Sequence, residues 1–274
     1  MSRQLITLTT DFGLKDSYIA EMKAVILSIS PNATIIDVTH DIEKFNIRMG
    51  AYILALATPY FPKGTIHIAI VDPGVGTLRR PLLIQTKQSF YIGPDNGLLV
   101  LAAKNQNIKH IYEVRNPKLM LPQISGTFHG RDVFAPAAAH LANGTPPTEF
   151  GPETREITRP EFAKIVRRKN VLVGEVLHID SFGNIITNLK KTDLEKANIK
   201  NALTVTLKNV RLKLKLCKAY DEVGPQEPLA VIGSHNLLEI SINQGNAANK
   251  FRIEAEDKIR LTVPKLFGNT FKND

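Results

Sequence analysis

Tryptophan is absent from this 274-residue chain, and cysteine occurs once. A lone thiol closes no internal disulfide, so stability must come from an apolar core, which fits a protein kept in a reducing compartment. Nor is there an apolar run long enough to span a bilayer, and the opening MSRQLITLTTDFG lacks the long apolar stretch of a secretory signal. These absences predict a cytoplasmic protein with no membrane partner, in which the acceptor-like triplets Asn32-Ala33-Thr34 and Asn143-Gly144-Thr145 carry no glycan. Acidic residues are the minority, 26 against 35 Lys and Arg, and the formal net charge of +9 raises the question of nucleic acid. The most basic segment, VRLKLKLCK at 210–218, speaks against it: Arg211, Lys213 and Lys215 alternate with Leu212, Leu214 and Leu216, as in a strand with one wet and one buried face. Lysines on such a strand discourage edge-to-edge aggregation, and no nucleic-acid partner is expected.

No internal repeat or low-complexity tract interrupts the chain, which is long enough for two domains with sizeable cores. Strand patterns at 5–8, 34–38, 65–71 and 82–86 alternate with helical patterns at 18–30, 46–57 and 131–142, the signature of an α/β sheet. Across 143–170, Pro146, Pro147, Gly151, Pro152 and Pro160 break the periodicity and Arg167, Arg168 and Lys169 add charge, which reads as an ordered connector. Strand-like runs follow at 171–179, 203–207, 210–216, 228–232, 237–242 and 259–263 with almost no helical pattern. The expected architecture is an amino-terminal α/β sheet domain, 1–165, followed by a smaller all-β barrel-like domain, 166–274, with a frayed tail after Pro264.

Three strings concentrate reactive side chains. VDPGVGTLRR (71–80) follows a β-branched, almost wholly apolar run suited to a strand buried on both faces, which puts Asp72 at that strand's carboxyl end, where open α/β sheets bind ligands. Gly74 and Gly76 let the backbone pass close to a bound molecule; the plain alternative is a tight turn in which Asp72 bonds its own backbone. TFHGRDVFAP (127–136) places Phe128, His129, Arg131 and Asp132 at a loop-to-helix junction with Pro136 in the first turn; Asp132 alternatively serves as a helix cap. TTDFGLKDSY (9–18) sets Asp11 at the end of the first strand, where a carboxylate can chelate a ribose diol, and Asp16 near a helix start, where capping competes with ligand binding.

Together with DVTHDIEKF (37–45) and IDSFGNIITN (179–188), these strings resemble the S-adenosylmethionine-dependent hydroxide adenosyltransferases and their fluorinating and chlorinating relatives, from residue 5 to about 248. The resemblance implies that S-adenosylmethionine is gripped between the first domain of one subunit and the second domain of a neighbour in a homotrimer, leaving open whether trimers pair. It implies that Asp11 binds the ribose hydroxyls, Asp16 the methionine end, and that Phe45 packs beside sugar and base, where halogenating relatives carry tryptophan. It further implies that Phe128 is a substrate-binding residue. From the second domain, Asp180 would meet the methionine ammonium, and Phe182 and Asn184 the adenine. Ser234 and Asn243, in GSHNLLEISINQG, match more loosely to positions that hold the carboxylate and adenine.

Asp72, Arg79 and His129 match the family's hydrolytic triad. A sulfonium leaves as a neutral thioether, so no general acid is needed; the protein must aim a water at the ribose C5′ in a site stripped of other solvent. Arg79 beside Asp72 weakens it as a base, so Asp72 is expected to orient the nucleophile, while His129 or the field of Arg79 eases deprotonation. The expected reaction is hydrolysis to adenosine and L-methionine with no cofactor and no metal. Halogenating relatives lack an acid at position 72, and a carboxylate there repels halide. Other readings are an S-adenosylmethionine-dependent halogenase, the runner-up within the family, a metal-dependent hydrolase using Asp11, His40, Asp41, Asp72, His129 and Asp132, and a non-catalytic S-adenosylmethionine sensor.

Overall fold

The computed structural model describes residues 4–159, 164–168 and 170–263, in two compact units, Met1–Pro160 and Glu161–Asp274. The expected frayed tail after Pro264 lies outside the described residues, as do parts of the expected connector.

In the first unit, β1 (Leu5–Thr10), α1 (Tyr18–Ile29), β2 (Thr34–Thr39), α2 (Ile47–Ala57) and β3 (Ile66–Ile70) follow one another, then β4 (Pro81–Thr86), β5 (Phe90–Pro94), α3 (Val100–Asn105), β6 (Ile108–Glu113) and α4 (Ala135–Ala142). The sheet runs β2-β1-β3-β5-β4-β6, parallel from β2 to β5, with β4 antiparallel to both its neighbours. Each residue of β3 is buried, as its almost wholly apolar run foretold. Alternation splits the sheet's side chains between two layers. Ile6, Leu8, Ile66, Ile68 and Ile70 join Ile19, Met22 and Ile26 of α1 and Ala137 and Ala138 of α4 in one core, while α2 and α3 pack together. The sequence pattern missed β5, whose FYIGP carries a strand-breaking Gly-Pro, and β6, whose IKHIYE alternates poorly. The helix expected at 131–142 begins as a π-helical turn, Gly130–Phe134, before α4 proper.

The other sheet face carries polar groups, including a fully buried histidine. His67 Nδ1 meets Thr7 Oγ1 at 2.8 Å, its ring lies 5.0 Å from Tyr91, and burial pushes its pKa down to about 3. The unfolded ring takes up a proton near the ordinary 6.5 and the folded ring resists, so stability must fall as pH drops through 6.5 and keep falling toward 3. Urea unfolding at pH 5 against pH 7.5 should show a loss of roughly 2 kcal/mol that His67→Gln abolishes; an equal loss in the variant would assign it elsewhere.

The second unit holds β7 (Val166–Arg168), β8 (Val171–Ile179), β9 (Ile185–Lys190), α5 (Lys191–Lys196), β10 (Ala202–Leu207), β11 (Val210–Cys217), β12 (Pro228–Ile232), β13 (Leu237–Ile242), α6 (Ala247–Phe251) and β14 (Lys258–Thr262). The order β14-β10-β11-β12-β13-β9-β8 closes through β14–β8 into a seven-stranded barrel, with β7 added alongside β8. Closure removes the free edges that short strands would otherwise expose. In β11 the Lys and Arg positions are exposed and Leu214 and Cys217 buried, as the alternation requires. Among the described residues no helix is long and apolar enough to cross a membrane.

Candidate active site

At the carboxyl end of β3 the chain turns sharply: Val75 N–H donates to Asp72 O, and Thr77 donates to Gly74 O from both its backbone (3.2 Å) and its hydroxyl (2.7 Å). This turn brings Arg79 back onto Asp72. Gly76 is at φ +76°, and a Cβ there would sit 2.1 Å from the Gly126 carbonyl oxygen. Only glycine gives both the left-handed backbone and the close approach, which packs the 72–79 turn on the segment that delivers His129.

Arg79 Nε donates to Asp72 Oδ1 and Oδ2 at 3.0 and 2.9 Å, and its Nη2 reaches both Asp72 Oδ2 and His129 Nδ1, the latter at 2.9 Å. The guanidinium carbon lies 5.2 Å from the centre of the Phe134 ring, and Nη1 is buried without a hydrogen-bond partner among the described residues. A guanidinium only donates, so His129 Nδ1 accepts and the neutral ring carries its proton on Nε2. Burial first, and Arg79's charge second, hold the His129 pKa below its ordinary value against the opposing pull of Asp72 and Asp132. The ring is therefore neutral near pH 7 and presents a donor at Nε2.

Asp11 lies beside this cluster, because Thr10 of β1 pairs with Ile70 of β3 and both strands run parallel to the same sheet edge. One of its oxygens, Oδ2, accepts from the Phe45 N–H at 2.9 Å, and Lys44 Nζ bonds its carbonyl. Phe45, at φ +65°, holds its ring 68 % exposed. Asp16 is exposed and caps nothing; the residue before α1 is Ser17, whose hydroxyl donates to Glu21. Phe128 packs edge-on against Phe12 and Tyr18 in the core below.

Several neighbours act through structure. Asp132, fully buried, is not a cap but a latch: it accepts from Ser125 N–H at 2.8 Å and from Arg131 Nε at 2.7 Å, so the loop before His129 is tied to the π-helical turn after it. Burial raises its pKa, but those hydrogen bonds outweigh it and the net shift is downward. Arg80 turns away from Arg79 and joins Asp95 and Glu113. Asn96, overlooked in the sequence for want of any motif, donates to the Val71 carbonyl at 2.8 Å and fixes the end of β3.

In the barrel unit, Asp180 closes the β8–β9 turn. Its Oδ1 accepts from the Phe182 and Asn184 N–H groups at 2.9 and 2.8 Å, its Oδ2 from Asn184 Nδ2 at 2.8 Å. Gly183, at φ +85°, has the Asn246 side chain where a Cβ would stand, and Phe182 projects 77 % exposed. Ser234 is exposed in the turn after β12 with its hydroxyl 3.3 Å from His235 Nδ1. The Asn243 amide is turned inward and donates to Val223 O at 2.8 Å. Among the described residues no group of three or more His, Cys, Asp or Glu side chains is arranged to hold a metal ion.

The chain matches known proteins along most of its length. A model of the SAM hydroxide adenosyltransferase N-terminal domain matches residues 6–151, and one of the corresponding C-terminal domain matches 174–260. The chain is 37 % identical over 270 residues to an (R)-S-adenosyl-L-methionine hydrolase from Methanocaldococcus jannaschii, covering 94 % of this chain and 95 % of that protein. A fluorinase from an Actinoplanes species is more distant, 29 % identical over 292 residues, covering 94 % and 97 %. The crystal structure of an uncharacterized conserved protein from Thermotoga maritima superposes with a TM-score of 0.90 at 35 % identity, covering 94 % of this chain and 99 % of that one.

Proposed function

This chain belongs to the SAM hydroxide adenosyltransferase family, and from that premise we propose that it hydrolyses S-adenosyl-L-methionine to adenosine and L-methionine. The observation that carries the reading is the Arg79 guanidinium, which holds Asp72 on one side and His129 on the other. Water attacks the ribose C5′ in line with the C5′–S bond; the bonding pair leaves on sulfur, and methionine departs as a neutral thioether. Asp72 accepts a hydrogen bond from this water and aims its lone pair, while His129 Nε2–H donates to the same oxygen. Since Nδ1 is occupied by Arg79, neutral His129 has no free lone pair to act as base. The proton leaves once the C–O bond has formed, when the oxygen is an oxonium and so acidic that the weakly basic, Arg79-paired Asp72 suffices.

In the same reading Asp11 grips the ribose diol with its remaining oxygen, Phe45 covers the sugar, Phe128 backs the wall and Asp16 faces the methionine end. Asp180 takes the ammonium, Phe182 and Asn184 the adenine, and Ser234 and Asn243 the carboxylate and adenine. We propose further a cytoplasmic homotrimer, working without metal and without nucleic acid, in which 1–165 of one subunit is completed by 166–274 of a neighbour.

The test is isotopic. In oxygen-18 water the label should enter the adenosine 5′-hydroxyl, with the rate unchanged by a chelator. Label in methionine, or methylthioadenosine or S-adenosylhomocysteine as main product, would place the broken bond elsewhere. Added chloride or fluoride should give no appreciable 5′-halo-adenosine, because the Asp72 carboxylate disfavours an anion where neutral water sits. Asp72→Ser should relax that barrier while losing hydrolysis.

A further inference from the structure

One carboxylate of the barrel unit has no part in the reaction as described. Glu239 lies on β13, paired with Val231 of β12 and with Ile186 of β9, next to the Ile240–Ile185 pair that directly follows the Asp180 turn. It is 7 % exposed. Among the described residues its side chain has one hydrogen-bond partner, Tyr220, whose hydroxyl donates to Oε2 at 3.3 Å, and no lysine or arginine there pairs with it. Room for it is made on purpose by the backbone: a Cβ on Gly233 would stand 1.6 Å from Oε1, so the loop carrying Ser234 packs directly on the carboxylate. Burying an acid this way is costly unless a cation arrives to meet it. Burial above all raises its pKa, and the charge of Asp180 adds to the effect, with the Tyr220 bond opposing. A buried carboxylate with a second acid beside it makes a site that gains most from a positive ligand.

We propose that Glu239 and Asp180 together form a two-carboxylate subsite for the α-ammonium group of the substrate's methionine half. The inference rests on the reading of the chain as an S-adenosylmethionine hydrolase, and it assigns a binding role to a residue that motif matching passes over. The ammonium gives the buried Glu239 carboxylate the cationic partner it lacks, so part of the selectivity for an amino-acid-bearing ligand comes from this buried acid and not from Asp180 alone.

Glu239→Gln keeps shape and removes charge. It should raise KM for S-adenosylmethionine by about tenfold with kcat within about twofold, and weaken L-methionine binding by about tenfold in calorimetry. Adenosine binding should not change, and 4-(methylthio)butanoate, which lacks the amine, should bind equally weakly to both proteins. Gly233→Ala, which displaces the carboxylate without removing it, should show the same selectivity and serves if Glu239→Gln does not fold. Unchanged methionine affinity, or parallel loss of adenosine and methionine, would overturn the assignment, as would a wild type that does not bind methionine. A wild type that binds methionine yet releases no adenosine would instead remove the proposed reaction and leave the subsite standing.

Discussion

Alanine at Asp72, Arg79 or His129 should lower kcat by roughly a hundredfold or more while KM stays within about threefold, because in the proposed mechanism these groups serve the reacting water and not the bound substrate. Arg79→Ala should be the most damaging of the three. It removes the donor that holds both other members, Asp72 through Nε and Nη2 and His129 through Nη2, and leaves their geometry unenforced. The pH profile supplies an independent readout. The working form has a neutral His129, so activity falls as pH drops through its pKa, which burial and Arg79 hold below the ordinary 6.5. The acid limb of kcat should therefore lie below 6.5, and Arg79→Met, which deletes the positive charge, should move it upward. A KM increase matching the fall in kcat would make these residues substrate holders.

The second large effect is expected from mixing two inactive proteins. Asp11→Ala and Asp180→Ala should each abolish measurable turnover, since one removes the proposed ribose clamp and the other the proposed ammonium contact together with the Asx turn that presents Phe182. If each site joins the first domain of one subunit to the second domain of another, random co-refolding of equal amounts restores about a quarter of the sites, half times half. The exposed Phe45 and Phe182, and the fully exposed Leu78 in the 72–79 turn, are apolar surface that such an arrangement would cover. Separately inactive variants that never complement would show that one chain supplies the whole site.

Much of this was legible beforehand where the physics is short-ranged. The apolar run of β3 announced a strand buried on both faces, the lysine alternation of β11 announced its wet face, and VDPGVGT and TFHGRD announced loops at which polar groups collect. The metal-hydrolase alternative drew on His40 and Asp132, and both have protein neighbours: His40 Nδ1 bonds Thr10 and its Nε2 lies 3.1 Å from Asp37 Oδ1, and Asp132 bonds Arg131 and the Ser125 N–H. Sequence alone could not see this, since each residue type was equally suited to a ligand.

What the sequence by itself determined is the α/β character of the first half, the β character of the second and the identity of the reactive strings, because period-2 and period-3.6 burial and the backbone demands of Gly and Pro act over a few residues. The tertiary structure decided which of two adjacent arginines faces the site, that Asp132 latches a loop and caps no helix, which nitrogen of His129 bears the proton, and that Glu239 lies buried beneath the Ser234 turn. It also decided the barrel's closure, since β8 meets β14 only after every intervening strand has found its register. These are matters of distance between groups far apart along the chain, fixed by packing such as the contact of Gly76 with Gly126, and no local pattern encodes them.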